Sequence, residues 1–278
     1  MPQTLLPPPA FLLRLLLLTA TIGTFWLPLR GQGQTGGART MDGQIPPHSV
    51  WTLGAVTRMD TTRHVIHLAF TGHEFADGGE IIWETLGRHG AKGSFFFTGD
   101  FYRNRSFSHL IRKLQEDGHY LGAHSDKHLL YVSWENRDSL LVTRSQFEED
   151  VRKNYHEMAR MGVDTARALF FMPPYEWYNT TISEWAASLG LVLVNFTPGT
   201  TSNADYTTPD MGPRYVPSDS ILARILRLET ESPSGLNGFV LLIHIGTDPR
   251  RTDKLYRRLD WLLSLLSGRG YRFEALGG

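Results

Sequence analysis

The sequence contains no cysteine. Disulfides, thiolate catalysis and Cys-ligated zinc are all excluded, so an exported fold of this kind must hold through its core alone. The sequence also lacks an excess of either charge. Its 28 Lys and Arg balance 28 Asp and Glu, leaving no electrostatic footprint for nucleic acid. No segment after residue 30 is apolar enough to span a bilayer. No internal repeat is visible, and low complexity is confined to the N-terminal leader.

The chain does have apolar residues in ordinary supply, 41% of its 278 residues, enough for one large core or two small ones. Residues 11–29 are almost continuously apolar, and the Gly- and Gln-rich stretch 31–40 follows them. This pattern predicts a secretory signal peptide and spacer over residues 1–40, ahead of a single folded domain over 41–278. Arg14 interrupts the apolar run, no basic region precedes it, and no Ala-x-Ala site closes it, so an uncleaved N-terminal anchor is the rival reading. On either reading the folded part is exported, to the periplasm, the cell surface or the outside. It touches membrane only through this segment.

Residues 41–63 read as an irregular lead-in. Beyond them, β-rich runs alternate with amphipathic stretches, the pattern of a parallel α/β fold. Strands are predicted over 64–70, 93–98, 120–123, 168–172, 191–196, 238–245 and 271–273. Helices are predicted over 80–89, 107–117, 144–161, 181–189, 219–227 and 253–267. About seven β/α units with no break in composition favour one barrel over two domains.

His124 and His128 follow the strand 120–123 and stand four residues apart. On a helical turn both imidazoles share one face and reach one divalent ion. The preceding strand would place that ion at a strand's C-terminal end, where α/β enzymes build their sites.

Five landmarks then fall in order. They are Leu68-Ala69-Phe70, the run Gly93 to Gly99 (Gly-Ser-Phe-Phe-Phe-Thr-Gly), Gly118 to His128, Phe170-Phe171-x-Pro173-Pro174-Tyr175, and Leu241-Leu242-x-His244. Together they resemble the polysaccharide deacetylases, the NodB-homology family of carbohydrate esterases, over nearly all of residues 64–276. The resemblance implies a distorted (β/α)7 barrel and metal-dependent removal of acetyl groups from N-acetylated or O-acetylated carbohydrate. It implies that His124 and His128 ligate a divalent metal, zinc or one like it, and that His244 is the acid that protonates the leaving amine. It also implies that Pro174 and Tyr175 shape one wall of the substrate groove, with the Tyr175 N–H on the oxyanion.

The sequence departs from the family where the family carries an Asp-Asp pair, one residue a base and the other a metal ligand. Those positions hold Thr71 and Gly72, and the family's Arg before Pro-Pro-Tyr is Met172. The loop after the first strand offers His73, Glu74 and Asp77 instead. Glu74 or Asp77 would supply the third ligand, and the other the base. Glu176 and Trp177 extend the groove wall, with Glu176 in place of a small residue. Trp134, Trp177, Tyr178 and Tyr206 are candidates either for stacking on sugar rings or for packing the loops. Asp205 and Asp248 are both placed to orient His244 or to cap a helix. The expected function is thus an exported carbohydrate deacetylase. The alternatives are a non-catalytic carbohydrate-binding protein on the same barrel and an enzyme for another amide or ester.

Overall fold

The computed structural model describes residues 45–277, so the expected leader and the membrane contact tied to it lie outside the described residues. Seven strands run parallel: β3 (Val65–Gly72), β4 (Ser94–Phe97), β5 (Tyr120–Ala123), β6 (Phe170–Phe171), β7 (Val192–Leu193), β8 (Phe239–His244) and β9 (Arg272–Phe273). Their order is β8-β3-β4-β5-β6-β7, with β9 beside the start of β3. The sheet curls into the expected distorted barrel.

The lead-in is where the fold departs from expectation. Residues 50–58 form a hairpin, β1 (Val50–Thr52) and β2 (Ala55–Arg58), turning at Leu53 and Gly54 with φ of 49° and 80°. Two positive φ values in a two-residue loop match the right-handed twist of the strands they join. β2 pairs antiparallel with β8 at Arg58–Phe239 and bridges Val56 to Val194 just past β7, closing the gap in the barrel. Three- and four-residue strands carry too little periodicity to be read from sequence.

Alternation along the strands splits the core in two. Ile66, Leu68 and Phe70 of β3, with Phe95, Phe97, Leu241 and Ile243, face outward against the helices. Ala69, Phe96, Phe170, Met172, Val240 and Leu242 fill the barrel interior. The two-residue period puts Thr71 and His244, paired in register, on that interior face at the C-terminal end of β3 and β8.

Among the described residues, seven helices cover the outside: α1 (Gly79–Arg88), α2 (Gly99–Arg103), α3 (Ser108–Glu116), α4 (Arg144–Arg160), α5 (Thr180–Ser188), α6 (Ser218–Glu231) and α7 (Leu259–Gly268). The short α2, unexpected from sequence, starts where Thr98 Oγ1 accepts the Phe101 N–H. α4 begins at a capping box between Thr143 and Gln146. Its buried stripe, Phe147, Asp150, Val151, Asn154 and Met158, follows helical spacing but carries two polar residues. Both of these hold the site described next. Among the described residues no helix is long and apolar enough to cross a membrane.

Candidate active site

His124 leaves the end of β5 and is buried. Its backbone N–H is received by Phe97 O and by Asn154 Oδ1 at 2.8 Å, while Asn154 Nδ2 donates to Phe97 O. The imidazole Nδ1 donates to Met172 O at 2.9 Å, which leaves the Nε2 lone pair facing the site. A backbone carbonyl on the far nitrogen is how metal-binding histidines are usually oriented.

The stretch from His124 to His128 is not helical, contrary to the sequence expectation. Ser125 (φ 72°) and His128 (φ 54°) both adopt left-handed backbone, and Ser125 Oγ accepts the His128 N–H at 2.7 Å. Asp150 of α4 fixes the loop by accepting from Lys127 N and, at 2.5 Å, from Tyr131 OH. The result nevertheless brings the two rings together, with His124 Nε2 and His128 Nε2 3.2 Å apart. Burial, then the neighbouring histidines, pushes His128 down to about 2. Burial also pulls His124 to about 3, against its bond to Met172. Both rings stay neutral, the form that ligates metal.

The turn after β6 carries the second wall. Tyr175 (φ 59°) and Glu176 (φ 52°) are both left-handed, and Asn195 Nδ2 anchors Glu176 O at 2.8 Å. This turn exposes Tyr175 and buries Glu176. Glu176 Oε1 lies 4.0 Å from His124 Nε2, and no described residue donates a hydrogen bond to its carboxylate. Burial pushes it up to about 7. Among the described residues, four of the six non-glycine residues with positive φ thus lie in the two turns that present His128 and Glu176. Strained backbone of this kind costs roughly 1–3 kcal/mol per residue and concentrates at functional sites.

His244 ends β8. Its Nδ1 donates to Asp205 Oδ1 at 2.6 Å, and Asp205 Oδ2 accepts the His244 N–H. Burial opposes charge on this ring, but the Asp205 carboxylate and its hydrogen bond hold the His244 pKa above the usual value. Asp205 is therefore the orienting partner, while Asp248 pairs at the surface with Arg250.

The loop after β3 behaves differently from the expectation that Glu74 and Asp77 supply ligand and base. Its backbone packs on Gly246 and bonds Ile245 O, which turns Asp77 toward the β8 side. There Asp77 accepts from Tyr256 OH (2.6 Å) and Thr247 N (2.9 Å) and pairs with Lys254 (3.0 Å). Glu74 is exposed, and its ionic neighbour is His73 at 4.0 Å. Neither carboxylate forms an ion pair or hydrogen bond with His124 or His128. His73 itself stacks on the His128 ring at 4.9 Å. Among the described residues no three His, Asp or Glu side chains are gathered as one metal would require. The donor chemistry present is two neutral imidazoles with one buried, unpartnered carboxylate beside them. That set suits zinc or a similar divalent ion.

Residues 59–194 match the family model described as polysaccharide deacetylase. The segment belongs to that family. A curated relative, a chitin deacetylase of Arthroderma benhamiae, is 25% identical over 171 residues, 61% of this chain. The match spans 42% of that relative's length. Among solved structures, a peptidoglycan N-acetylglucosamine deacetylase aligns with TM-score 0.63 at 19% identity, covering 81% of this chain and 95% of its own. A family 4 carbohydrate esterase pseudoenzyme from Bacillus anthracis aligns with TM-score 0.62 at 15% identity, covering 82% and 70%. At these identities the structures share the fold. Pro174 is buried in the turn after β6. Trp177 serves as support, its Nε1 donating to Ser133 O and its ring lying between Trp134 and Arg137. Trp134 and Tyr175, 5.9 Å apart, and Tyr206, 5.4 Å from the His244 ring, are the exposed aromatics around the site.

Proposed function

We propose that this protein is a hydrolase that removes acetyl groups from carbohydrate, at the non-peptide carbon–nitrogen bond of an N-acetyl group or at the ester bond of an O-acetyl group. The observation that carries this reading is the convergence of His124 and His128 Nε2 at 3.2 Å at the barrel end that also holds the His244–Asp205 pair. In this reading His124 and His128 hold a divalent ion, zinc or one like it. Such an ion, when bound, polarises the acetyl carbonyl and lowers the pKa of water to about 7.

The chain's own groups do the rest. Asp205 fixes the His244 tautomer and favours its protonated form, so His244 delivers a proton to the departing nitrogen. With Asp77 engaged by Lys254 and Tyr256, Glu74 is the carboxylate of the β3 loop left to accept a proton from water. Tyr175, Trp134 and Tyr206 offer ring faces to the sugar. The named relatives support an N-acetylated polymer of the chitin or peptidoglycan kind as substrate. The apolar N-terminal stretch supports export.

A second reading, non-catalytic carbohydrate binding, is favoured by the lack of a gathered three-ligand cluster among the described residues. The two are separated by measuring metal content and acetate release from N-acetylated oligosaccharides for the wild type and His124→Ala. Stoichiometric metal and acetate, both lost in the variant, support the deacetylase. Neither metal nor acetate in the wild type supports the binding protein.

A further inference from the structure

The family's carboxylate pair is absent from the end of β3, and the structure closes one of its two positions. A Cβ on Gly72 would approach Ile245 Cγ2, Phe101 Cε2 and Phe97 Cδ1 at 2.8–2.9 Å. Apolar side chains therefore fill the space that a carboxylate there would need. At the other position, Thr71 Oγ1 is buried without a hydrogen-bond partner among the described residues.

Across the barrel, the turn after β6 presents a carboxylate that has no evident structural use. Glu176 is 9% exposed, accepts no hydrogen bond from the described residues and has the neutral His124 imidazole 4.0 Å away, so that the charge on His244 offsets its burial only in part. An unpaired buried carboxylate is costly, commonly several kcal/mol for an ion without compensation. The backbone that puts it there is itself left-handed at two consecutive non-glycine residues. An arrangement that is unfavourable in both respects calls for a compensating partner, and a cation between Glu176 and His124 would be one.

We infer that Glu176 supplies the carboxylate ligand missing from β3, completing with His124 and His128 a two-histidine, one-carboxylate metal site. The inference rests on the metal-dependent reading above. Ligands of a tetrahedral ion at about 2.0–2.1 Å stand about 3.3–3.4 Å from one another. The histidine pair, at 3.2 Å, is already at that spacing. Glu176 Oε1, at 4.0 Å from His124 Nε2, is roughly half an ångström beyond that spacing, so the inference requires the carboxylate to move closer when the ion binds. The site keeps a fourth position open, as a catalytic site must.

The test titrates zinc into full-length protein stripped by chelator, for the wild type, Glu176→Gln and His124→Ala, and follows thermal unfolding of each metal-free form. The wild type is expected to bind one ion, His124→Ala none, and Glu176→Gln at least about tenfold more weakly. Metal-free Glu176→Gln should melt at or above the wild type, because it removes an unpaired buried carboxylate. A residue with a merely structural role would not separate the two readouts in this way. Should Glu176→Gln fail to fold, Glu176→Asp replaces it, since a side chain one methylene shorter must also weaken binding. Unchanged affinity in the glutamate variant, with binding lost in His124→Ala, overturns Glu176 as ligand and leaves the metal reading standing. No binding by the wild type overturns both.

Discussion

Replacing Asp205 with Asn removes one charge and almost no volume, and its consequence for His244 follows from two opposed influences. Burial is the larger single influence on the ring and disfavours the imidazolium, while Asp205 reverses that preference. The Nδ1–Oδ1 bond is 2.6 Å long and Asp205 is only 1% exposed, so solvent screens the pair little. A charge-assisted hydrogen bond contributes roughly 1.5–3 kcal/mol and a neutral one roughly 0.5–1.5. The exchange therefore costs the protonated form about 1–2 kcal/mol, or about one pKa unit. Burial is then opposed by the Glu176 carboxylate alone, and the His244 pKa falls.

Because the proposed acid works in its protonated form, activity is lost as pH rises through this pKa. Asp205→Asn should move that loss to lower pH by about one unit and reduce turnover above it about tenfold. The wild-type pair also contributes to folding: this part of the stability is present below the unfolded His value and is lost as pH rises through the raised folded value. Carbon-13 NMR of the His244 ring gives the midpoint without reference to turnover, and acetate release against pH gives its consequence. A His244 midpoint that does not move in Asp205→Asn refutes the electrostatic argument. A midpoint that moves while the pH–rate profile stays fixed refutes the assignment of His244 as acid.

His119 is buried, accepts the Gly93 N–H on Nδ1, and is held down to about 4 by burial and Lys92. The unfolded chain therefore takes up the extra proton first, and stability should fall by up to about 3 kcal/mol as pH drops from 6.5 toward 4. His119→Asn should flatten that part of the urea-measured pH dependence, and an unaltered slope contradicts it. Gly72→Ala forces a methyl group to within 2.8–2.9 Å of three apolar side chains. It should cost about 1–3 kcal/mol in urea unfolding, and an unchanged midpoint would show that those neighbours yield freely. Trp134 is 52% exposed. Trp134→Ala should weaken binding of N-acetylated oligosaccharide about tenfold by calorimetry while leaving the melting temperature nearly unchanged. Equal affinity would remove it from the groove.

The parts of the fold legible in the sequence were those whose apolar period runs long enough. β3 and β8 are six- to eight-residue buried strands, and α4 runs for 17 residues with a capping box. The β1–β2 hairpin had only Gly54 to announce it, because its other turn residue is Leu53, a poor left-handed residue. The histidine pair was legible as a pair but not as a loop. Its backbone is set by Asp150 and Asn154, more than twenty residues away on α4, and no local pattern reports that contact. Asp205 and Asp248 looked equivalent, and only the fold, by bringing Asp205 across 39 residues to His244, separates them. Asp77 looked available because its sequence neighbours gave no sign of Lys254 and Tyr256. The burial of Glu176 depends on a left-handed Tyr-Glu turn, and neither residue type advertises that conformation.

Two of the departures from the family pattern, at positions 71 and 172, are one electrostatic event rather than two. The resemblance implies an arginine at position 172 that steadies the base of the Asp-Asp pair, and position 71 is the member of that pair on the same face of the barrel. Here Thr71 and Met172 both lie on the interior side of the barrel, and Met172 is wholly buried among Ala69, Phe96 and Val240. A guanidinium left at 172 after loss of the carboxylate at 71 would be a buried, unpaired charge, and breaking such a pair costs about 3–5 kcal/mol. Methionine fills the volume without that penalty, so the two positions must change together. A double-mutant cycle measures the linkage. Met172→Arg alone should destabilise the fold by about 3–5 kcal/mol in urea, and adding Thr71→Asp should recover at least about 1 kcal/mol beyond additivity. Strict additivity of the two substitutions would mean that positions 71 and 172 do not share a charge pair in this barrel. The exchange of Arg for Met would then need an explanation in packing alone.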